Sequence, residues 1–370
     1  MFPDVDAVRG EFPALARWTH FALAHKAPLP RCAEEAFAAF AKDFRDTAGD
    51  RNFSQERIDE ARVSLAALVG AAPETLAFVK NTSEGINIVA SGLRLEAGDE
   101  VIVSRLEHEA NLLPWRRLAE RGIVVAAVSG GTDDLAERIG PRTRVVATSW
   151  VTYRDGYRFD LASLGRVCRS QDALLVVDGI QGVGVLSTPL RELGADVLAC
   201  GGHKGLLGVA GAGFLYCRED VIERIDPRYV SKFTFSESDK WSSRLSPKQD
   251  ARRFEYGNPN FLGIAILKRS SEFLADLGLV AIEARIRLLT TRMMDRLGSA
   301  GVDVTTPLDW DKRAGIVSVE AENAERTAKR LRERNILVSV KDGRFVRMAC
   351  HFFNTEDEVE RVASELSACL

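Results

Sequence analysis

One apolar strand of this chain ends in a carboxylate, and the next apolar strand is followed by a lysine. The first strand, Leu174–Asp178, is apolar up to its last residue, and the second starts at Val197 and leads into the motif GGHK, which ends at Lys204. In an open α/β sheet, the carboxyl ends of parallel strands face the ligand crevice. We therefore expect Asp178 and Lys204 to lie at one rim of the sheet, on neighbouring strands.

An amine and a carboxylate placed together in this way suit one kind of cofactor chemistry. A lysine amine holds an aldehyde as an imine, and a carboxylate keeps a pyridine nitrogen protonated so that the ring accepts electrons. A partly desolvated lysine beside a cationic ring loses its proton easily and becomes a nucleophile and a base. The pair predicts pyridoxal 5'-phosphate (PLP), with Lys204 as the Schiff-base lysine and Asp178 as partner of the ring nitrogen. Taken singly, each would be an ordinary turn residue.

The motif NTSEGIN begins at Asn81, directly after the predicted strand Leu76–Val79, and opens a helical run. The hydroxyl groups of Thr82 and Ser83, beside the free N–H groups of a helix N-terminus, would form a phosphate cradle. The same pattern is typical of an ordinary helix cap made by Thr82 or Ser83. The two interpretations are compatible, because a capped helix end can also bind an anion.

The motif EHEANLLPW begins at Glu107 and follows another predicted strand. The imidazole of His108 could lie flat on the π-system of a bound ring, and the alternative is an ordinary loop histidine. The other histidines outside GGHK, His20, His25 and His351, are interpreted as structural, although His25 is also a candidate for the substrate pocket.

Short apolar runs alternate with helical patterns between residues 76 and 217. Continuous apolar strands indicate a sheet covered on both faces, and the alternation with helices favours a mainly parallel α/β sheet. The predicted strands are Leu76–Val79, Val101–Ser104, Ile123–Val128, Val145–Ser149, Leu174–Asp178, Val197–Cys200 and Gly213–Cys217.

The pattern changes after Gly263. A long helical run with a break near Gly278 is followed by a strand, a helix, two short strands around the turn at Lys341, and a closing helix. We predict a large cofactor-binding domain over residues 16–262 and a small α+β domain over 263–370, with residues 1–15 packing against either. The polar segment Asp226–Arg253 is predicted to be a long functional loop.

Composition excludes several classes of protein. A net charge of −3 gives no electrostatic argument for binding nucleic acid or an anionic membrane. The N-terminus does not read as a secretory signal, and no apolar run is long enough to span a bilayer. The six cysteines form no C-x-x-C pair, so neither a metal site nor a disulfide framework is expected. These observations favour a cytoplasmic protein.

Taken together, the motifs NTSEGIN, EHEANLLPW, VVDGIQ, GGHK, FEYGNPN and RMACHFFN resemble the class V aminotransferase family of fold-type-I PLP enzymes. That family includes cysteine desulfurases, selenocysteine lyases, isopenicillin N epimerase and kynureninase. The resemblance covers about residues 18 to 365. It implies an α/β fold, with a mainly parallel sheet in the large domain and a smaller α+β C-terminal domain.

The resemblance also implies roles for individual residues. Arg347 would clamp the substrate carboxylate, which suits a planar guanidinium fork; the alternative is a solvated strand arginine. Asn258, in FEYGNPN, would reach the phosphate in the partner subunit, so that a homodimer with shared active sites is implied. The implied cofactor contacts are Thr82, Ser83 and His203 at the phosphate, His108 stacked on the ring, Asp178 at the ring nitrogen, Gln181 at the ring hydroxyl and Lys204 at the aldehyde.

The chain departs from the family pattern at several positions. Gly201 replaces a common phosphate-binding serine, and Asn258 replaces a threonine. The segment SWVTYRDG places Thr152 or Tyr153 where an asparagine usually touches the cofactor. The candidates for the substrate pocket are Tyr153, Arg154, Trp115, His25 and the loop around Trp241.

The C-terminal region bears on the reaction. Cysteine desulfurases carry a cysteine on a loop ahead of the clamping arginine, whereas residues 335–346 contain none, and Cys350 is expected in the core. A desulfurase that forms a protein persulfide is therefore disfavoured. We predict an enzyme whose amino acid or amine substrate replaces Lys204 on the cofactor, with C–S (β-elimination) lyase or epimerase chemistry. The alternatives are a true aminotransferase or a non-catalytic binding protein; the absence of G-x-x-x-x-G-K-[ST] disfavours a nucleotide-binding protein.

Overall fold

The computed structural model of the chain describes residues 3–236, 241 and 245–370. Every strand predicted from an apolar run is present, with ends shifted by at most two residues. The strands are rich in Val, Ile and Leu, which suit a pleated sheet packed on both faces. They are β1 Thr19–His20, β2 Leu76–Val79, β3 Glu100–Ser104, β4 Val124–Val128, β5 Thr143–Ser149, β6 Leu174–Asp178, β7 Val197–Gly201, β8 Gly213–Cys217, β9 Ile316–Glu320, β10 Ile336–Leu337, β11 Ser339–Lys341 and β12 Phe345–Ala349.

Seven of these strands form the central sheet, in the order β2-β8-β7-β6-β5-β3-β4. The strand β8 runs antiparallel to its neighbours β2 and β7, and the other neighbouring pairs are parallel. The prediction of a mainly parallel α/β sheet is therefore confirmed. Because β5, β6 and β7 are parallel, their carboxyl ends lie together at one edge of the sheet.

Helices cover both faces of this sheet and complete the C-terminal part of the chain. The predicted break at Gly278 is confirmed: its φ of +78° ends one helix and starts the next, in a conformation that glycine adopts without strain. The helices are α1 Val5–Gly10, α2 Arg31–Thr47, α3 Gln55–Val69, α4 Thr82–Gly92, α5 Glu109–Arg117, α6 Thr132–Arg138, α7 Leu161–Ser170, α8 Phe261–Leu277, α9 Leu279–Ser299, α10 Ala324–Glu333 and α11 Glu356–Ser367.

The C-terminal part contains a three-stranded antiparallel sheet, in the order β11-β12-β9. The helices α9, α10 and α11 pack on it through buried residues such as Leu289, Leu331 and Val362. The N-terminal strand β1 pairs in parallel with β10, so residues 19–20 contact the C-terminal part. This contact crosses the boundary proposed at residue 262, and the division into two domains stays a prediction.

Within the described ranges, no helix combines the length and the apolar character that crossing a bilayer would require. The predicted functional loop Asp226–Arg253 has no regular helix or strand in its described part up to Asp250, where a short 3₁₀ turn begins. Residues 237–240 and 242–244 of this loop lie outside the described residues.

His351 is fully buried beside Phe352 and Phe353, and burial lowers the pKa of this histidine to about 3. In the unfolded chain it takes up a proton near pH 6.5, whereas in the folded protein it stays neutral. Its stabilising contribution is therefore complete above pH 6.5 and is lost progressively as the pH falls from there towards 3. At ~1.4 kcal/mol per pH unit, the loss between pH 7.5 and 5 is about 2 kcal/mol.

We accordingly expect His351→Gln to reduce the acid sensitivity of the free energy of unfolding by about 2 kcal/mol between pH 7.5 and 5. Urea unfolding at the two pH values measures this difference. His25→Gln is the comparison, because His25 is exposed and only partial burial lowers its pKa, so a smaller change is expected there. An unchanged pH dependence in His351→Gln would show that the histidine is protonated in the folded state.

Candidate active site

The carboxyl ends of β5 and β6, the loop after β7 and the N-terminus of α4 surround a cavity of about 770 Å³. Ten of the residues predicted for the site line this cavity. The structure thus brings together side chains that are up to 322 positions apart in the chain, from residue 25 to residue 347. They are His25, Thr82, Ser83, His108, Tyr153, Asp178, Gln181, His203, Lys204 and Arg347.

Asp178 is the last residue of β6 and is almost fully buried. Its carboxylate accepts a hydrogen bond from the backbone N–H of Ile180 at 2.9 Å. Burial raises the pKa of Asp178 to about 6, and the nearby amine of Lys204 acts in the opposite direction. A partner that carries a positively charged N–H group would stabilise the ionised carboxylate further.

Lys204 follows β7 by three residues and reaches the same cavity. Burial lowers the pKa of its amine to about 8, with Asp178 acting in the opposite direction and Arg347 adding to the decrease. An amine with this pKa is partly neutral near pH 7, which a nucleophile or a general base requires. The sequence prediction of an acid and a lysine at one rim of the sheet is thus supported by the geometry.

A tight turn fixes the backbone behind Lys204. Leu207 is buried in the left-handed region, with φ of +57°, and its N–H donates to the carbonyl of Lys204 at 2.9 Å. A non-glycine residue in this region costs about 1–2 kcal/mol and persists where the surrounding packing requires it. The turn therefore fixes the backbone from which the side chain of Lys204 enters the cavity.

The N-terminus of α4 borders the cavity beside the end of β7. Asn81 is the helix cap, because its side-chain oxygen accepts from the N–H of Glu84 at 2.9 Å. The alternative in which Thr82 or Ser83 caps the helix is therefore wrong. Thr82 instead accepts a hydrogen bond from the N–H of Gly201 at 3.2 Å, which joins the helix to β7. The first-turn N–H groups of α4 suit an anion.

Gly85 explains how α4 approaches the sheet so closely. A Cβ atom at this position would lie 2.7 Å from the Cβ atom of Ala199 in β7. Only glycine therefore allows this contact without a shift of the helix. The glycine of NTSEGIN thus places the helix N-terminus beside the residues that follow β7.

His108 caps α5 and lies on another wall of the cavity. Its Nδ1 atom accepts from the N–H of Ala110 at 3.2 Å, and its ring stands edge-on to that of Tyr153, with centroids 5.2 Å apart. Burial lowers the pKa of His108, so that the imidazole is neutral at pH 7. The Nε2 atom lies 3.3 Å from a carboxylate oxygen of Glu109, so both nitrogens orient the ring, and its face can still stack on a bound aromatic ring.

Arg347 lies in the middle of β12, and only 2% of the residue is exposed. Its Nε–H donates to the hydroxyl of Ser339 at 3.2 Å, and its guanidinium also donates to the backbone carbonyl of Tyr153. Burial lowers the pKa of Arg347 to about 10, which still leaves it charged at neutral pH. The alternative of a solvated strand arginine is wrong, since the side chain is buried and faces the cavity.

Residues 24–27 form a further wall of the cavity. The side-chain N–H of Gln181 donates to the carbonyl of Ala24 at 3.0 Å, and the N–H of Ala27 donates to the carbonyl of His203 at 3.1 Å. His25, between these two contacts, is exposed and lines the cavity, and partial burial lowers its pKa. The position of this wall is therefore fixed by hydrogen bonds to one residue of the VVDGIQ motif and one residue of the GGHK motif.

Two predicted cofactor contacts do not line the cavity. Thr152 is fully buried and its hydroxyl donates to the carboxylate of Asp155, so it shapes the turn rather than the cavity wall. Asn258 lines a separate cavity of about 180 Å³, together with Tyr256 and Glu84. Its predicted contact is with a partner subunit, which a separate position on the surface permits.

Tyr153 and His25 line the cavity, whereas the other three candidates for the substrate pocket are not found among its described lining residues. Trp115 is fully buried in the core, where its indole N–H donates to Asn111 at 3.1 Å, so its assignment to the pocket is wrong. Arg154 packs over the ring of Phe345 at 5.4 Å and does not line the cavity. The loop around Trp241 falls mostly outside the described residues.

Sequence reasoning missed Glu107, which lies behind the cavity. Its buried carboxylate accepts from the N–H of Ser149 at 2.6 Å, from the hydroxyl of Ser149 at 2.8 Å and from the side chain of Asn111 at 2.9 Å. Burial raises the pKa of Glu107 to about 8, and Asp178 adds to the increase. Glu107 thus fixes Ser149, which pairs with Asp178 across β5 and β6.

The cavity carries an excess of positive charge. Among its described lining residues are four lysine or arginine side chains and a single carboxylate, that of Asp178. Sequence reasoning did not assign Lys26 or Lys341 to the site. This set of residues suits a ligand that carries anionic groups and one protonated ring nitrogen.

The class-V aminotransferase family model matches residues 33–362, so the chain belongs to this family. It is similar to a probable cysteine desulfurase of Methanothermobacter thermautotrophicus, with 28% identity over 99% of this chain and 98% of the relative. It is also similar to isopenicillin N epimerase of Amycolatopsis lactamdurans, with 30% identity over 92% of each chain.

Solved structures of C-DES show the same fold. One, with glycine covalently linked to the PLP cofactor, matches 99% of each chain with a TM-score of 0.90 and 25% identity. Another is described as a complex of this cystine C–S lyase with its product cysteine persulfide, and matches with a TM-score of 0.87. The chain is a PLP-dependent enzyme of fold type I. The cationic cavity with one buried carboxylate and one low-pKa lysine fits this cofactor.

Proposed function

We propose that this enzyme is a C–S lyase, which removes a thiol or a related sulfur leaving group from Cβ of an L-amino acid. The observation that carries the proposal is that Lys204 and Arg347 share one cavity with Asp178, while none of the described lining residues is a cysteine. A site with a base and a carboxylate clamp can cleave a C–S bond directly. The described lining of this cavity offers no thiol that would accept the sulfur.

The position of the cysteines argues against transfer of sulfur to the protein. Cys350 follows Arg347 by three residues but is fully buried, and burial raises the pKa of its thiol. The thiolate is the nucleophile in sulfur transfer, so a buried thiol of high pKa is inert. The hairpin formed by β11 and β12 leaves three residues, 342–344, between the strands, and none is a cysteine.

The residues suited to hold the cofactor divide by chemistry. Thr82, Ser83 and His203 would hold the phosphate, beside the N-terminus of α4. Asp178 would pair with the ring nitrogen, Gln181 with the ring hydroxyl and His108 with one face of the ring, and Lys204 would form the covalent attachment. Bound PLP supplies a ring that accepts the electrons left on Cα when a proton is removed.

The chain's own groups then account for the elimination. Arg347 binds the substrate carboxylate and so orients Cα towards Lys204. The neutral amine of Lys204 takes the Cα proton at Nζ, the electrons of the Cα–H bond form the Cα=Cβ bond, and the C–S bonding electrons leave with the sulfur. That proton is returned to the sulfur, which departs as a thiol, and water hydrolyses the enamine product to a 2-oxo acid and ammonia.

A homodimer is part of this proposal. Three phenylalanines near α2, namely Phe37, Phe44 and Phe53, are 53%, 43% and 51% exposed. The ring of Phe53 packs on that of Phe261, at the start of α8 and three residues after Asn258. An exposed aromatic patch of this kind is typical of a protein interface, and it supports the predicted approach of Asn258 to a second active site.

A cytoplasmic location is also proposed, on the ground that six free cysteines suit a reducing compartment.

The test of the reaction is a screen of the purified holoenzyme against cysteine, cystine and S-substituted cysteines. We expect a thiol or persulfide, a 2-oxo acid and ammonia to appear in equal amounts. Three measurements run in parallel on the same samples: sulfur release, 2-oxo acid formation and enantiomeric composition. The wild type is compared with Arg347→Lys, which keeps the charge but loses the planar fork and is expected to raise KM by at least tenfold.

The same screen separates the alternatives. Interconversion of enantiomers without release of sulfur would contradict the lyase and favour an epimerase. A 2-oxo acid formed only when a second 2-oxo acid is present, with the sulfur retained, would favour a true aminotransferase. If the protein binds the cofactor but turns over no substrate in any of the three measurements, a non-catalytic binding protein is favoured.

A further inference from the structure

The hairpin of β11 and β12 carries a second cation next to the carboxylate clamp. In the antiparallel register, Ser339 pairs with Arg347 and Lys341 pairs with Phe345. Alternate residues of a strand point to the same face, so Lys341 and Arg347 are diagonal neighbours on one face of the hairpin. Both side chains line the 770 Å³ cavity.

Tyr153 keeps the two cations apart. Its backbone carbonyl accepts from the guanidinium of Arg347, whereas the amine of Lys341 lies 5.2 Å from the centre of its ring. Arg347 is further fixed by Ser339. Diagonal neighbours have Cβ atoms roughly 7 Å apart, which is wider than one carboxylate. The arrangement thus offers two separate positions for anions.

In the part of the chain that the structure describes, neither cation forms an ion pair with a carboxylate. Among the described residues, no carboxylate oxygen lies within 4 Å of the side-chain nitrogens of Lys341 or Arg347, although Asp342 is adjacent in the chain. The charge of Lys341 reaches the cavity, since it contributes to the lowered pKa values of His25, His108 and Lys204. Lys26 is a further cation at the cavity wall.

We propose that Lys341 determines substrate specificity by binding a second anionic group, so that the enzyme acts on amino acids whose side chain ends in an acid. Arg347 takes the α-carboxylate, and Lys341 takes the distal carboxylate, sulfonate or similar group. This inference rests on the proposed function for its chemistry but not for its binding geometry. A cysteine substituted on sulfur with a carboxyalkyl group has the required pair of acids.

The test measures binding without turnover, by titration calorimetry of the holoenzyme with glutarate and with its monoamide, 4-carbamoylbutyrate. The two ligands have the same shape and differ by one charge. We expect the wild type to bind glutarate about tenfold more tightly than the monoamide, from one charge-assisted hydrogen bond. Lys341→Met should abolish this ratio, and Lys341→Arg should retain it. Lys329→Met, on the exposed face of α10, is the control that should leave it unchanged.

Retained binding of the monoamide by Lys341→Met shows that the variant is folded. An equal loss for both ligands would overturn the inference and assign Lys341 to the α-carboxylate; no loss for either would also overturn it. A second result is that the screen releases no sulfur while the ratio of the affinities for glutarate and its monoamide depends on Lys341. That result would refute the lyase activity but support the second anion site. Sulfur release together with an affinity ratio that is unchanged in Lys341→Met would refute only the role of Lys341 and not the lyase activity.

Discussion

Lys204→Ala is expected to lose covalent cofactor attachment and at least about a thousandfold in turnover. The expected loss combines the two roles proposed for this amine, attachment of the cofactor and transfer of the Cα proton; a positioned general base alone contributes ~10²–10⁴-fold. The pKa of about 8 makes Lys204 suited to both roles. Borohydride reduction of the holoenzyme, followed by peptide mapping, should place the cofactor mass on the peptide that contains Lys204.

Lys329→Ala is the control for this experiment, because this lysine is exposed on α10. It should retain the visible absorbance of the bound cofactor and full turnover. Fixation of the cofactor mass at another lysine in the wild type would refute the assignment. Folding of Lys204→Ala is checked by its free energy of unfolding, which should stay close to that of the wild type.

Asp178→Asn is expected to keep the fold and part of the cofactor affinity but to reduce turnover by about 10²–10³-fold. The amide has the shape of the carboxylate but lacks its charge, so it stabilises the protonated ring far less during the reaction. Removal of one electrostatic contact aimed at developing charge has an effect of this size in other enzymes. Turnover and cofactor affinity, measured separately, distinguish the loss of chemistry from the loss of binding.

The control for Asp178→Asn is Asp172→Asn, at a highly exposed position six residues earlier. Asparagine also tolerates the left-handed backbone of Asp172, with φ of +51°. We expect this control to match the wild type in turnover and cofactor affinity. Full turnover by Asp178→Asn would refute its electrostatic role.

Much of the central sheet could be predicted because its signals are local. Continuous apolar runs indicate strands, and the positions of Asp178 and Lys204 at strand ends predict their convergence. The break at Gly278 was predictable for the same reason. The helix α2 was not predicted, since its sequence has few large apolar residues and its phenylalanines are partly exposed.

The parts of the site that were missed depend on contacts between distant segments. Glu107 was visible in the EHEANLLPW motif, but its bond to Ser149 joins residues 42 positions apart. From the sequence, Lys341 was predicted to be a turn residue. Its position beside Arg347 follows only from the pairing of β11 with β12. Thr152 and Trp115 were assigned to the pocket because a motif gives the position of a residue but not the direction of its side chain.

The N-terminal segment 19–27 links two parts of the molecule. At one end it is joined to β10 and to Ala349, whose N–H donates to the carbonyl of Phe21 at 2.8 Å; at the other it meets Gln181 and His203. Any rotation of the three-stranded sheet against the seven-stranded sheet therefore pulls on the wall that contains His25. A shift of the C-terminal sheet is thereby transmitted to the position of His25, so the shape of the cavity and the placement of that sheet are linked through these nine residues.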